Sequence, residues 1–258
     1  MHEQTHGFFT LLLHFLAAGT LGLVASSLAM SFGSRFADRL PGESRRPLCL
    51  YCSRPLTWQE ASPLIGWLLR PDTFSFPCPC GLRTGLWQQP FCELLGFSLG
   101  LLSVALQGWS WPLIPLCIGM GLLPAMALID FHFGIIPDEL NLLLGVCGAF
   151  FTILSGGDFF MGLIVASALL CLGLFFALVY SRWRGKEMLG LGDVKFFAAA
   201  GFWMHAHTAP TFLMLSGLLG FLFTLVWRRI SHEKEFPFAP ALSLSLALCV
   251  FARFVMAP

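Results

Sequence analysis

Residues 159–180 include no charged side chain, and seven further apolar-rich runs share the chain with this one. They cover 8–32, 91–106, 112–129, 140–154, 194–204, 210–227 and 239–255. A helix that crosses the hydrocarbon core of a bilayer needs about 20 predominantly apolar residues. Several runs are near that length, and the sixth, 194–204, is short. Charged residues make up 11% of the chain and hydrophobic ones 57%, where a soluble domain carries about 25% charged residues. Such a chain cannot cover itself with a water-compatible surface. The expected fold is an all-α polytopic membrane protein with about eight transmembrane helices and one small cytoplasmic cysteine-rich loop domain.

Charge placement orients the helices. "MHEQTHG", ahead of the first run, has no Lys or Arg, whereas a cleaved signal peptide starts basic. The first run is therefore expected to stay as a permanent helix, with the N-terminus outside. The cytoplasmic segments are then 33–90, 130–139, 181–193 and 228–238, with Lys195 at the same edge. Of the 15 basic residues, Arg253 alone falls near the other face, as the positive-inside rule requires. If the short sixth run did not cross, Arg228, Arg229 and Lys234 would lie outside, so it is expected to cross. Three units follow: 1–32, a first transmembrane helix; 33–90, a cytoplasmic cysteine-rich domain; and 91–258, the remaining membrane domain. No nucleic-acid partner is expected, and the lipid bilayer is the expected surrounding.

The cysteines form two groups. Cys92, Cys117, Cys147, Cys171 and Cys249 lie in or beside apolar runs and suit small buried hydrophobes. Cys49, Cys52, Cys78 and Cys80 lie in the cytoplasmic loop as "CLYC" and "CPCG". In a reducing compartment, paired thiols read as a metal site before a disulfide. Four thiolates suit tetrahedral Zn²⁺, which ties a small loop together without a large core.

Asp38, Asp72 and Asp158 need no more than solvated turn roles. The others are Asp130 and Asp138 in "ALIDFHFGIIPDELN" and Asp193 in "LGLGDVK". Asp138, ahead of an apolar helix, suits an N-cap, and Asp193 can cap the sixth helix in the same way. Asp130 ends a helix, where the dipole disfavours a carboxylate. An ionisable group at membrane depth is costly and points to function. Two carboxylates brought together share a proton, so one can activate water while the other protonates a leaving amine. Gly190 and Gly192 are expected to let an extended substrate backbone pass close to Asp193.

At these residues the chain resembles the type IV prepilin peptidases, membrane aspartic proteases with a Gly-X-Gly-Asp motif. "SRFADRLPGESRRPLCLYC", "SPLIGWLLR", "PFCELLG", "ALIDFHFGIIPDELN", "KEMLGLGDVKFFAAAG" and "FPFAPAL" follow the family's order. The chain differs from the family pattern in its "CPC" pair, in "RPDTFSFPC" and in "ASSLAMSFGSRFA". The resemblance implies that Asp130 and Asp193 are the catalytic pair. It implies cleavage of the basic leader of prepilins or type II secretion pseudopilins at the cytoplasmic face of the bacterial inner membrane. It also implies, through the cysteine loop, methylation of the new N-terminal amine with S-adenosylmethionine; no residue is assigned to that cofactor. Asp138 and Glu187 are expected to attract the basic leader, and Lys195 to anchor at the membrane edge or pair with a carboxylate.

Three other readings remain: a protease without methyltransfer, a transporter or proton pathway using the Asp pair, and a zinc-anchored scaffold. Against the transporter, both aspartates sit at the cytoplasmic edge and not near the midplane between repeats.

Overall fold

The computed structural model describes residues 2–33, 88–185, 189–230 and 236–256. The cysteine-rich unit, with Cys49, Cys52, Cys78 and Cys80, lies outside the described residues, as does Glu187. Among the described residues the only regular secondary structure is helical. The helices are α1 (His2–Gly33), α2 (Gln88–Gln107), α3 (Leu113–Phe133), α4 (Asp138–Leu154), α5 (Phe159–Leu174), α6 (Leu191–Gly201), α7 (Ala209–Ile230) and α8 (Ala239–Met256). A π turn, Phe175–Tyr180, and a helical turn, Ser181–Arg184, extend α5.

Among the described residues, six helices are long and apolar enough to cross a membrane: α1, α2, α3, α5 with its extension, α7 and α8. The two others, α4 and α6, have 17 and 11 residues. Even so, α6 runs beside α4 for nearly its whole length. At one end Asn141 Nδ2 donates to the Gly192 carbonyl at 3.2 Å; at the other Thr152 Oγ1 donates to the Phe202 carbonyl at 2.7 Å. The short sixth run thus goes from one end of the bundle to the other. The edge-on contact between Phe131 and Trp227, with ring centroids 5.2 Å apart, then brings Arg228 and Arg229 to the Asp130 end. That is the sidedness the charge pattern requires.

The central helix is α3, with Leu116, Cys117, Met120, Ala125 and Met126 fully buried. Around it, α1, α2 and α3 approach to backbone contact. A side chain on Gly22 would strike the Gly96 carbonyl, one on Gly100 would strike Ala18, and one on Gly121 would strike Gly22. In lipid, helices gain nothing from hydrophobic exclusion, and small residues let dispersion between backbones hold them together. Polar links add to this pair: Ser27 Oγ donates to the buried Glu93 carboxylate at 2.7 Å, and Ser26 Oγ to the Cys92 carbonyl at 2.8 Å.

The far end of α6 is fixed by Trp203. Its buried indole lies against Gly119 and Gly148, stacks on Phe151 and donates through Nε1 to the Leu144 carbonyl at 3.0 Å. On the periphery Phe160, Ile164, Met214 and Phe221 are each at least 60% exposed, which suits side chains that face lipid. Trp109 is half exposed and stacks on His14 with ring centroids 4.3 Å apart.

Candidate active site

The site lies where α3 and α8 meet the start of α6. Helix α3 ends at Gly134, whose left-handed backbone (φ 64°) turns its N–H back to the Asp130 carbonyl at 2.8 Å. Glycine adopts that conformation without the Cβ penalty other residues carry. Asp130 therefore sits in the last turn of α3, buried, at the negative end of the helix dipole.

Tertiary packing offsets this. Asp130 Oδ2 accepts the Ala239 N–H at 2.8 Å. Ala239 opens α8, so the carboxylate lies at that helix's positive end and satisfies one of the donors that the first turn leaves free. Pro240, next in the chain, has no N–H to satisfy. "FPFAPAL" thus has a physical role that the sequence alone did not show: its backbone holds Asp130.

Asp193 is placed by its own helix. The residue preceding α6 is Gly190, and Asp193 is third in the helix, not the N-cap. Its carboxylate turns back toward Gly190. A Cβ on Gly190 would lie 3.2 Å from Asp193 Oδ2, tighter than side chains ordinarily pack. Gly192 faces Ile136, whose backbone and Cβ come within 3.4–3.5 Å of where its own Cβ would be. Each glycine thus has one close neighbour, the Asp193 carboxylate at Gly190 and Ile136 at Gly192, and Gly190 is otherwise exposed. Asp130 and Asp193, far apart in the chain, are close enough for their charges to repel.

Asp138 does not cap its helix: α4 follows Pro137 with no side-chain cap bond. Instead both of its carboxylate oxygens receive Lys195 Nζ at 2.6 Å, joining α4 to α6 beside the aspartates. Lys195 is thus a partner of Asp138 more than a free membrane anchor, and Asp138 meets a basic leader only in competition with it. The pair is 48% and 65% exposed, so its stabilisation stays within the ~0–1 kcal/mol of surface ion pairs. The buried Asn141 joins the site through Gly192; sequence reading passed over it, since one Asn in a helix's first turn carries no pattern. His132 Nδ1 lies 2.8 Å from the Leu128 carbonyl, a local helix contact.

Residues 117–225, which contain both aspartates, match the type IV leader peptidase family. A prepilin leader peptidase/N-methyltransferase of Aeromonas hydrophila is 31% identical over 208 residues, covering 78% of this chain and 69% of the relative. The chain belongs to the type IV leader peptidase family. A second relative of this family, from Dickeya chrysanthemi and bearing the same name, is 31% identical over 78% of this chain and 71% of its own. One from Bacillus subtilis (strain 168), also a prepilin leader peptidase/N-methyltransferase, is 28% identical over 86% and 88%. No solved structure matches the chain. The leader peptidase match begins inside α3, so it covers the Asp130–Asp193 site and leaves the cysteine loop outside.

Proposed function

We propose that this chain is a membrane aspartic endopeptidase that removes the basic leader from prepilins or pseudopilins at the cytoplasmic face of a bacterial inner membrane, with Asp130 and Asp193 as its catalytic pair. The observation that carries this reading is that two carboxylates from separate helices lie close enough to repel, with Asp130 held by the Ala239 N–H. A fixed donor leaves Asp130 pre-oriented, and two carboxylates side by side retain one proton between them. The ionised member takes a proton from water as that water attacks the scissile carbonyl; the protonated member delivers its proton to the leaving amine. The backbone N–H donor keeps Asp130 in place without supplying any group that titrates near neutrality.

The relatives' names add an N-methyltransferase, and we extend that activity to this chain: the new N-terminal amine takes a methyl group from S-adenosylmethionine. The thiols of Cys49, Cys52, Cys78 and Cys80 would hold one structural Zn²⁺, by the donor chemistry of four thiolates. Lys195 at Asp138 and the positive end of α8 at Asp130 give two of the carboxylates at this end of the bundle fixed structural partners. That favours a fixed site over a proton pathway.

The test is mass spectrometry of a co-expressed model prepilin with wild type and with Asp193→Asn. Leader loss with wild type only supports the peptidase, and an added methyl mass supports transfer. Cleavage without that mass makes the chain a peptidase alone. No cleavage by wild type removes the proposal.

A further inference from the structure

Asn141 carries an acceptor that the fold leaves unused. It lies in the first turn of α4, buried, with Nδ2 donating to the Gly192 carbonyl at 3.2 Å. That bond fixes which end of the amide points at α6. The other end, Oδ1, is buried and has no hydrogen-bond partner. A buried acceptor left unmet lowers stability, and each such group in a folded protein calls for a cause.

Tethering α6 to α4 is not a sufficient cause. The same job is done at the opposite end of α6 by Thr152, whose hydroxyl reaches the Phe202 carbonyl and leaves no amide oxygen over. The residue chosen beside Asp193 is one that holds Gly192 and still presents a carbonyl. A second unmet group lies at this end of the bundle. Ser243 Oγ, one turn beyond Ala239 on α8, is buried without a partner, whereas Ser245 on the same helix donates to the Ala241 carbonyl at 2.7 Å. Trp227 Nε1 and, at the far end of α2, Gln107 Oε1 are also unmet among the described residues, so it is the place of Asn141 against Gly192, beside Asp193, that points to the site.

We infer that Asn141 is a substrate-positioning residue: once the substrate segment parts the cover over this buried oxygen, Oδ1 accepts a backbone N–H of the extended stretch flanking the scissile bond. An N–H acceptor suits a peptide because it binds the main chain and not any one side chain. It would fix the register of the scissile carbonyl relative to Asp193, the residue that follows Gly192. The inference rests on the peptidase reading above and deepens it.

The experiment uses the full-length enzyme in detergent and a set of synthetic prepilin segments. In each segment one amide flanking the scissile bond is replaced by an ester, which removes a single N–H. With wild type, one ester position is expected to lower kcat/KM about fivefold to tenfold, the size of one neutral hydrogen bond, while the others change little. Asn141→Thr keeps a hydroxyl for Gly192, as Thr152 does for Phe202, and loses the amide carbonyl. In that variant the penalty at the sensitive position should vanish, because the interaction it removes is already gone. A penalty that persists unchanged in Asn141→Thr overturns the inference, as does a wild-type scan with no sensitive position; the scan needs no variant to fold. Failure of wild type to cut the all-amide segment would instead overturn the peptidase reading itself.

Discussion

Asp130 Oδ2 accepts the Ala239 N–H at 2.8 Å, so the carboxylate that closes α3 also opens α8. Two roles follow for one side chain, and they separate under mutation. Asp130→Asn keeps an oxygen for the Ala239 N–H and should leave the melting temperature in detergent near wild type. Asp130→Ala removes the acceptor and should cost about 1 kcal/mol, as lost helix caps do. Both should lower prepilin cleavage by at least about a hundredfold, the lower range for loss of an acid–base group. Cleavage that survives in purified Asp130→Asn would defeat the dyad.

Gly190 and Gly192 should differ although both belong to one motif. A methyl group at Gly190 comes within 3.2 Å of Asp193 Oδ2, while one at Gly192 meets Ile136 at ordinary contact. Gly190→Ala is expected to lower kcat more than Gly192→Ala, with both proteins folded. Equal kcat values for the two would show that Gly190 does not set the Asp193 carboxylate.

The Lys195–Asp138 pair is exposed, and its removal should be mild for folding. Lys195→Met is expected to shift stability by less than about 1 kcal/mol and to leave Asp138 free for a basic leader. KM for a leader rich in Lys or Arg should then fall or stay level. A KM that rises would mean that Lys195 itself contacts the substrate.

Acid should loosen the turn between α6 and α7. Burial, with Arg253 and His207 nearby, holds the His205 imidazole below its ordinary value of 6.5. Between that lowered value and 6.5 the unfolded chain binds more protons than the folded one, so stability rises with pH through this window and drops on acidification. His205 is exposed and the effect small. Melting curves of wild type and His205→Asn should converge near pH 8 and differ below pH 6.5, with wild type losing more; parallel curves would remove His205 as the cause.

Metal analysis of the purified chain is expected to give about one Zn²⁺, lost in the Cys49→Ser, Cys52→Ser double variant. The same variant should still cleave, since Asp130 and Asp193 lie on α3 and α6, outside the loop. Finding no zinc in wild type would reject the four-thiolate site.

Much of this was legible in the sequence because it is written locally. Long apolar runs forced helices, since backbone groups in lipid must bond within their own segment. Arg and Lys placement gave the sidedness, including the passage of α6 from one end of the bundle to the other. Asp130 and Asp193 stood out because carboxylates are rare among such residues.

What tertiary structure alone decided is how those local pieces meet. Nothing in "ALID" says that the N-terminus of α8 will neutralise the poor position of Asp130 at the end of α3. Nothing in "LGLGDVK" says that Gly190 will lie against the Asp193 carboxylate and Gly192 against Ile136, or that Lys195 will reach Asp138. Asn141 carries no sequence pattern, and its importance appears only where α4 touches Gly192. Helix formation depends on neighbours a few residues apart, whereas the direction of a carboxylate depends on which helix end packs against it. That is fixed only when the bundle closes.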